Sequence, residues 1–202
     1  RDLEALIKSH QLPNATIGVS HTRWATHGAP NKVNAHPHFD SSQNILIVHN
    51  GIIENYEALK KMLKIKGCTF LSDTDTEVAA HLIGLHYKGD LFAAVKKAIG
   101  QMKGSFAFGV IAKDHPDTLV AARLGSPLII GVGEGENFIA SDVPAILDKT
   151  KRVIYLKDGE IAVLKRDKID IYNSAGQKVK FKIHAVTFKV DAVQKQGFAH
   201  FM

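Results

Sequence analysis

The sequence is poor in cysteine: Cys68 is the one cysteine among 202 residues. An intrachain disulfide is therefore excluded, and this composition favours a reducing compartment, which predicts a cytoplasmic protein. No apolar run approaches the roughly 20 residues that a membrane-spanning helix needs. The first residues also lack the charged and then apolar pattern of a signal peptide, so we expect neither a membrane segment nor secretion.

Charge of one sign is not concentrated in any block. There are 26 Lys and Arg residues against 20 Asp and Glu residues, which gives a formal net charge of +6. The densest basic cluster has the spacing of a solvent-facing helix side and no aromatic residues between its members, which are Lys60, Lys61, Lys64 and Lys66. Nucleic-acid binding is therefore not favoured. With an apolar content of 45%, the chain can form one globular domain with a sizeable core.

Hydrophobic periodicity predicts helices mainly in the first half of the chain. An amphipathic stretch carries Leu3, Leu6 and Ile7 at helical spacing. Further helices are predicted over 54–66, 78–87 and 91–102, and the polar stretch 72–77 is typical of an N-terminal cap.

The remaining segments are predicted strands. Alternation predicts a strand over 15–21, and the apolar run 45–48 predicts a buried strand that ends at an Asn50-Gly51 turn. Seven more strands are expected in the second half, over 106–112, 119–123, 128–132, 138–141, 153–156, 161–165 and 169–172. Two antiparallel sheets with helices packed outside them bury these faces most simply, which predicts an α+β fold.

Two charged residues suit the binding of a free amino acid. Arg23 presents a planar fork of donors that matches a carboxylate, and it follows the first predicted strand. Asp75, at the mouth of a predicted helix, can pair with an ammonium group. Taken alone, each residue is more typical of a surface arginine or of a helix cap.

Asn50 and Gly51 have two interpretations. They are a tight turn, or they form an oxyanion hole in which the asparagine amide and the glycine N–H face developing negative charge. Glycine at this position allows close approach of a substrate to the backbone.

Other reactive patterns are weaker. His27, His36 and His38 could hold zinc, but no Cys, Asp or Glu stands at a familiar ligand spacing, so we expect no metal and no cofactor. The glycine-rich run 131–136 lacks the spacing of a phosphate loop, and no Gly-x-Ser-x-Gly motif follows a strand. Cys68 has no flanking histidine and is expected to be a packed, unreactive residue.

Four motifs, in order, resemble the glutaminase domain of the glucosamine-6-phosphate synthase family. They are His21-Thr22-Arg23-Trp24-Ala25-Thr26-His27-Gly28, Asn34-Ala35-His36-Pro37-His38, Val48-His49-Asn50-Gly51-Ile52-Ile53-Glu54-Asn55 and Thr74-Asp75-Thr76-Glu77. Segments 121–128 and 136–142 are similar to that family too. Related class II amidotransferases that use phosphoribosyl pyrophosphate usually have Arg-Tyr-Ser-Thr in the first motif and lack the Ile-Ile-Glu-Asn continuation.

The resemblance implies a four-layer αββα sandwich of the N-terminal-nucleophile hydrolase type. It further implies that a cysteine at the mature N-terminus attacks the side-chain amide of L-glutamine, so that glutamate and ammonia are released. Asn50 and Gly51 correspond to the oxyanion hole. The resemblance assigns Arg23, with Thr26 and His27, to the substrate carboxylate, Asp75 to the substrate ammonium and Trp24 to the gate of an ammonia channel.

The resemblance also implies a larger protein. The chain starts at Arg1 and contains no cysteine near its beginning, so we expect a fragment that lacks the nucleophile and an N-terminal strand and helix. Residues 1–193 are expected to be the glutaminase domain, and 194–202 the start of a linker to a sugar isomerase domain that binds fructose 6-phosphate, in a homodimeric parent. Three alternatives remain open: a non-catalytic module that binds glutamine, another class II amidotransferase, and a metal hydrolase built on the three histidines.

Overall fold

The computed structural model describes residues 5, 8–9, 15–23 and 28–187. The predicted N-terminal helix around Leu3, Leu6 and Ile7 falls outside these residues, apart from isolated helical positions at 5, 8 and 9. Within residues 28–187, the chain forms eleven strands, three α-helices and a 3-10 helix.

Three helices lie between the second and third strands. They are α1 (Tyr56–Ile65), α2 (Asp75–His86) and α3 (Leu91–Ile99). Gly67 takes a positive φ of 89° just after α1, which agrees with the end of the helix predicted over 54–66. The helix α2 begins at Asp75 and not at Val78 as predicted, because Thr74 is the N-cap residue whose side chain accepts from the N–H of Glu77.

The strands form two antiparallel sheets. The larger sheet has seven strands in the order β1-β2-β3-β4-β8-β9-β10. Its members are β1 (His38–Phe39), β2 (Ile45–Ile53), β3 (Gly104–Ala112), β4 (His115–Leu124), β8 (Ile161–Lys165), β9 (Lys168–Tyr172) and β10 (Lys178–Val179). The smaller sheet has the order β11-β7-β5-β6. It contains β5 (Ile129–Val132), β6 (Asn137–Ala140), β7 (Arg152–Tyr155) and β11 (His184–Ala185).

The layers follow from the alternation of side chains along the strands. In β3, Phe106, Phe108 and Val110 face the core shared with the helices, whereas Ala107 lies in the core between the two sheets. In the smaller sheet, Ile130 faces the core between the sheets and Ile129 faces the 3-10 helix Val143–Ile146. The described residues therefore stack as helices, large sheet, small sheet and 3-10 helix, and the α+β fold class is confirmed.

Two strand predictions were wrong. The strand that was expected to stop after residue 48 continues to Ile53, because it pairs along its whole length with β3, including Asn50 with Ala107 and Gly51 with Phe106. Asn50-Gly51 is therefore not a hairpin turn. The predicted strand over 15–21 is not a strand in the structure. Alternation indicates the faces of a strand, but a strand also needs a partner for its backbone groups.

Glu77 braces the loop that leads into α2. Its carboxylate accepts from the N–H groups of Leu71 and Ser72, both at 2.7 Å, and from the hydroxyl of Ser72 at 2.6 Å. Burial by itself would raise the pKa of Glu77, but the hydrogen bonds, with His81 contributing, outweigh it and lower the pKa to about 2. The charged form of Glu77 therefore stabilises the fold.

We expect Glu77→Gln to lower the free energy of unfolding by about 1–3 kcal/mol at pH 7, because charge-assisted hydrogen bonds to buried backbone groups are weakened. The folded-state pKa lies below the ordinary 4.5, so this stabilisation is complete above pH 4.5 and is lost as the pH falls towards 2. Urea denaturation at several pH values measures it. The exposed Glu57→Gln is the control; a difference between wild type and Glu77→Gln that did not shrink in acid would contradict the prediction.

Candidate functional site

One cavity of about 1180 Å³ lies beside the second half of β2 and the start of α2. Segment 16–23 forms part of its wall, and β6 contributes another part. Four of the predicted site residues line it together: Arg23, Asn50, Gly51 and Asp75. The other three, Trp24, Thr26 and His27, lie outside the described residues. The cavity thus brings a cation, an anion and candidate amide donors to the same place.

Asp75 links the two elements that form the floor of the cavity. Asp75 is 3% exposed, and its Oδ2 accepts a hydrogen bond of 2.8 Å from the backbone N–H of Ile53, at the end of β2. The first turn of a helix favours a negative charge because the free N–H groups and the helix dipole point towards it. Among the described residues, Oδ1 accepts no such bond, so this oxygen is available to a ligand.

Gly51 has a backbone conformation that suits glycine and few other residue types. Its φ is +132°, a region that side chains with a Cβ rarely adopt. A Cβ built on it would lie 2.2 Å from the carbonyl oxygen of Ser105 on β3. Glycine is therefore needed here for the strand pairing itself, apart from any role in catalysis.

Asn50, the preceding residue, has its side chain fixed by one strong contact. Its Oδ1 lies 2.6 Å from Nε2 of His21. An amide oxygen accepts and does not donate, so Nε2 of His21 carries the hydrogen of this bond. The Asn50 NH₂ group makes no hydrogen bond to the described residues, which leaves it as the donor on the cavity wall.

The Arg23 guanidinium contacts the loop that follows its own segment. Its two terminal nitrogens donate to the carbonyl of Ala29 at 3.1 Å and to that of Gly28 at 3.0 Å. These carbonyls hold the fork at the cavity wall. The structure thus places Arg23 at the cavity as the sequence predicts, although the guanidinium donors are already engaged with backbone oxygens.

A cluster of histidines behind the site was not predicted. The rings of His21 and His36 stack with 4.3 Å between their centroids, and His38 meets His36 edge-on at 5.0 Å. Thr76 joins the cluster, because its hydroxyl lies 3.3 Å from Nε2 of His36 and 3.0 Å from Nδ1 of His49. The Asn34–His38 and Val48–Asn55 motifs contain three of these histidines, but sequence alone does not show that their rings meet.

The pKa of His36 is lowered to about 3, first by burial. Electrostatic effects of its neighbours lower it further, and these are His21, His38, His49 and Arg23. His36 is therefore uncharged at neutral pH. The backbone N–H of His49 donates to its Nδ1 at 3.3 Å. Nε2 of His36 then carries the hydrogen and donates to Thr76.

Cys68 lies away from the cavity. It is half-buried, packs against the core beneath the helices and does not line the cavity wall. The part of the chain that the structure describes contains no group of three His, Cys, Asp or Glu side chains suited to a metal ion. The rings of His36 and His38 are in contact there, while His27, the third histidine considered for zinc and not favoured, falls outside that part. Within the described ranges, no helix has the length and apolarity to cross a bilayer.

Comparison with known proteins gives a family for this arrangement. A family profile described as "Glutamine amidotransferase domain" matches residues 21–148. Two curated relatives are named "Glutamine--fructose-6-phosphate aminotransferase [isomerizing]": that of Aquifex aeolicus is 53% identical over 188 residues and that of Caldanaerobacter subterraneus subsp. tengcongensis is 51% identical over 187. Each alignment covers 93% of this chain, but 32% and 31% of the respective relative. The chain thus spans about a third of the length of the curated relatives it matches.

Solved structures agree with the fold. The glutamine phosphoribosylpyrophosphate (PRPP) amidotransferase from B. subtilis, complexed with ADP and GMP, is 25% identical, with a TM-score of 0.63 over 78% of this chain and 35% of its own. A structure titled as the allosteric regulatory enzyme of purine biosynthesis is 28% identical, with a TM-score of 0.64 over 76% of this chain and 34% of its own. The resemblance and the fold type predicted from the motifs are confirmed by these matches.

We expect Gly51→Ala to lower the free energy of unfolding by about 2–5 kcal/mol, because it combines an unfavourable φ with a clash against backbone. Urea denaturation of the purified protein checks this. Gly18→Ala is the matched control: Gly18 also lines the cavity, but a Cβ there meets nothing within 4 Å. Its effect should stay within about 1 kcal/mol of wild type. Equal losses in the two variants would contradict the assignment of strain to Gly51.

Proposed function

Because the chain belongs to the glutamine amidotransferase domain family, we propose that it is the glutaminase part of a glutamine:fructose-6-phosphate aminotransferase. In this proposal it releases ammonia from L-glutamine for the synthesis of glucosamine 6-phosphate. The observation that carries the proposal is the shared cavity, which Arg23, Asn50, Gly51 and Asp75 line together. A free amino acid needs this combination, because its two ends have opposite charges.

The two charged ends of glutamine are assigned to two residues. Asp75 binds the α-ammonium through Oδ1, because its Oδ2 accepts from the backbone N–H of Ile53. Arg23 takes the α-carboxylate, for which it must direct donors towards the cavity while the carbonyls of Gly28 and Ala29 hold its fork. Thr26 and His27 belong to the carboxylate site and Trp24 to the ammonia channel only by resemblance, since they lie outside the described residues.

The reacting amide is assigned to the end of β2. Attack of a thiolate on the side-chain carbonyl of glutamine places negative charge on its oxygen, and this charge needs donors that are already oriented. The Asn50 NH₂ group and the Gly51 N–H are the candidates. The strand pairing fixes the backbone of both residues, and the hydrogen bond to His21 holds the Asn50 side chain. The two donors therefore need little reorganisation when the charge develops.

Cys68 is not the nucleophile in this proposal. It does not line the cavity, and no other cysteine occurs in the sequence. We assign the thiol to the N-terminal cysteine that the family resemblance implies, which is not part of these 202 residues.

The parent protein of the proposal is larger than this chain. Residues 1–193 form the glutaminase domain and 194–202 begin the linker to a sugar isomerase domain, which binds fructose 6-phosphate. The length of the curated relatives, about three times the matched region, supports a further domain. A homodimeric parent and a cytoplasmic location complete the proposal. The junction near residue 193 falls outside the described residues.

We expect Asn50→Ala in the full-length protein to lower kcat for glutamate release from glutamine by about 100- to 1000-fold, the usual effect of losing one oxyanion donor. KM should change little, because the donor acts on charge that forms during the reaction. The control is Asn173→Ala, in a turn that is not part of the cavity lining. Ammonia release at the wild-type rate in Asn50→Ala would remove this residue from the mechanism.

Arg23→Ala should mainly raise KM for glutamine, by about tenfold or more, because a charge-assisted bidentate contact with the carboxylate is lost. Steady-state glutaminase kinetics measure the effect. Arg23→Lys keeps the charge but not the planar fork of donors, so its KM for glutamine should lie between those of wild type and Arg23→Ala. Arg152→Ala, an exposed change on β7, is the control. An unaltered KM in Arg23→Ala would contradict the carboxylate assignment.

A further inference from the structure

We propose that His21 is a positioning residue that holds the Asn50 carboxamide with its NH₂ group directed to the glutamine amide oxygen. This inference rests on the proposed function, because it concerns the donor assigned to the oxyanion. His21 touches neither the substrate nor the reacting atoms in this proposal. It acts through Asn50.

The contact between the two side chains is short and has a definite polarity. Nε2 of His21 lies 2.6 Å from Oδ1 of Asn50, although the residues are 29 positions apart in sequence. The terminal torsion of an asparagine has two broad minima that exchange its oxygen and nitrogen. With the Nε2 hydrogen pointing at Asn50, the exchanged orientation would set an N–H against an N–H. The bond therefore selects the orientation in which the NH₂ group is left for a ligand.

The His21 ring is itself held from behind. It stacks on His36 with 22° between the ring planes. His36 in turn bonds to Thr76 and to the backbone of His49, so it is tied to the start of α2 and to β2. These are the elements that carry Asp75 and Asn50. The Asn50 amide is therefore held in place by β2 and α2, the same two elements that hold the proposed ammonium site at Asp75.

A role for His21 as a general base fits the geometry less well. Its Nε2 already serves Asn50, and its Nδ1 is buried with no hydrogen-bond partner among the described residues. Neither nitrogen is placed to take a proton from a group in the cavity. Its one hydrogen bond in the described structure is the bond to Asn50, which favours a positioning role.

Two variants of the full-length protein separate hydrogen bonding from packing. His21→Phe keeps a ring to stack on His36 but removes the donor. His21→Gln removes the ring but keeps an N–H that can reach Asn50. We expect His21→Phe to lower kcat for glutamate release at least about tenfold, up to the 100- to 1000-fold effect of losing the donor itself, with KM within about twofold. His21→Gln should stay within about threefold of wild type.

A double-mutant cycle with Asn50→Ala tests whether His21 acts through Asn50. In the Asn50→Ala background, His21→Phe should cause no further loss beyond about twofold, because the group that it orients is absent. An additional tenfold loss there would overturn the proposal, since it would mean an independent role. His184→Ala, an exposed histidine outside the cavity lining, should leave kcat unchanged.

The remaining outcomes are also decisive. If His21→Phe keeps full activity while His21→Gln loses it, the His21 ring contributes by packing and does not position the Asn50 carboxamide. The proposal is then wrong. The same holds if neither variant gives folded protein by circular dichroism. If Asn50→Ala alone leaves glutaminase activity intact, the oxyanion assignment of the proposed function fails first. If Asn50→Ala loses glutaminase activity and His21→Phe causes a further loss in that background, only the positioning role of His21 is wrong.

Discussion

The hydrogen bond from the backbone N–H of Ile53 to the buried Asp75 carboxylate ties the end of β2 to the start of α2. The two elements that form the floor of the candidate site are joined by this bond. Asn50 and Gly51 lie just before Ile53 on the strand, and Thr76 follows Asp75 in the helix. A buried carboxylate is stable only when its charge is compensated by hydrogen bonds or by a partner. The backbone donor and the helix N-terminus provide part of this compensation, and a ligand ammonium would provide more.

Asp75 consequently combines two duties that are hard to separate. One carboxylate oxygen accepts from Ile53, and the proposed function assigns the other to the substrate ammonium. Replacement of Asp75 would disturb the join between β2 and α2 as well as any contact with substrate. The clearer reporters of the proposed function are therefore Asn50 and Arg23, because their hydrogen bonds to His21 and to the carbonyls of Ala29 and Gly28 do not join β2 to α2.

The sequence allowed good prediction of elements whose signals are local. Helix α1 with its stop at Gly67, and strands such as β8, were predicted within one or two residues. The extent of β2 was missed because it depends on a partner about 55 residues away: Gly51 pairs with Phe106 in β3. An Asn-Gly pair is a turn signal only when the chain must reverse. Here the positive φ of Gly51 lets the strand continue past a close carbonyl.

The site was predictable to a similar degree. The proposed site residues each have a side chain or a backbone group with an evident chemical use, and each lies in a motif of consecutive residues. They are Arg23, Asn50, Gly51 and Asp75. The contact of His21 with Asn50 could not be predicted, because a stacked and half-buried histidine has no sequence signature of its own. Its partner is identified only when segment 15–23 and β2 are placed together.

The histidines also affect the electrostatics of the cavity. A zwitterionic ligand is held best when the protein offers one cation and one anion and no further charge that competes for either. A protonated His36 would add a cation near Arg23 and would compete with a ligand ammonium for Asp75. Its low pKa, about 3 and caused first by burial, prevents this at neutral pH. Burial of His36 under the stack with His21 thus keeps the charge pattern of the cavity simple, while its neutral ring supports the group that orients Asn50.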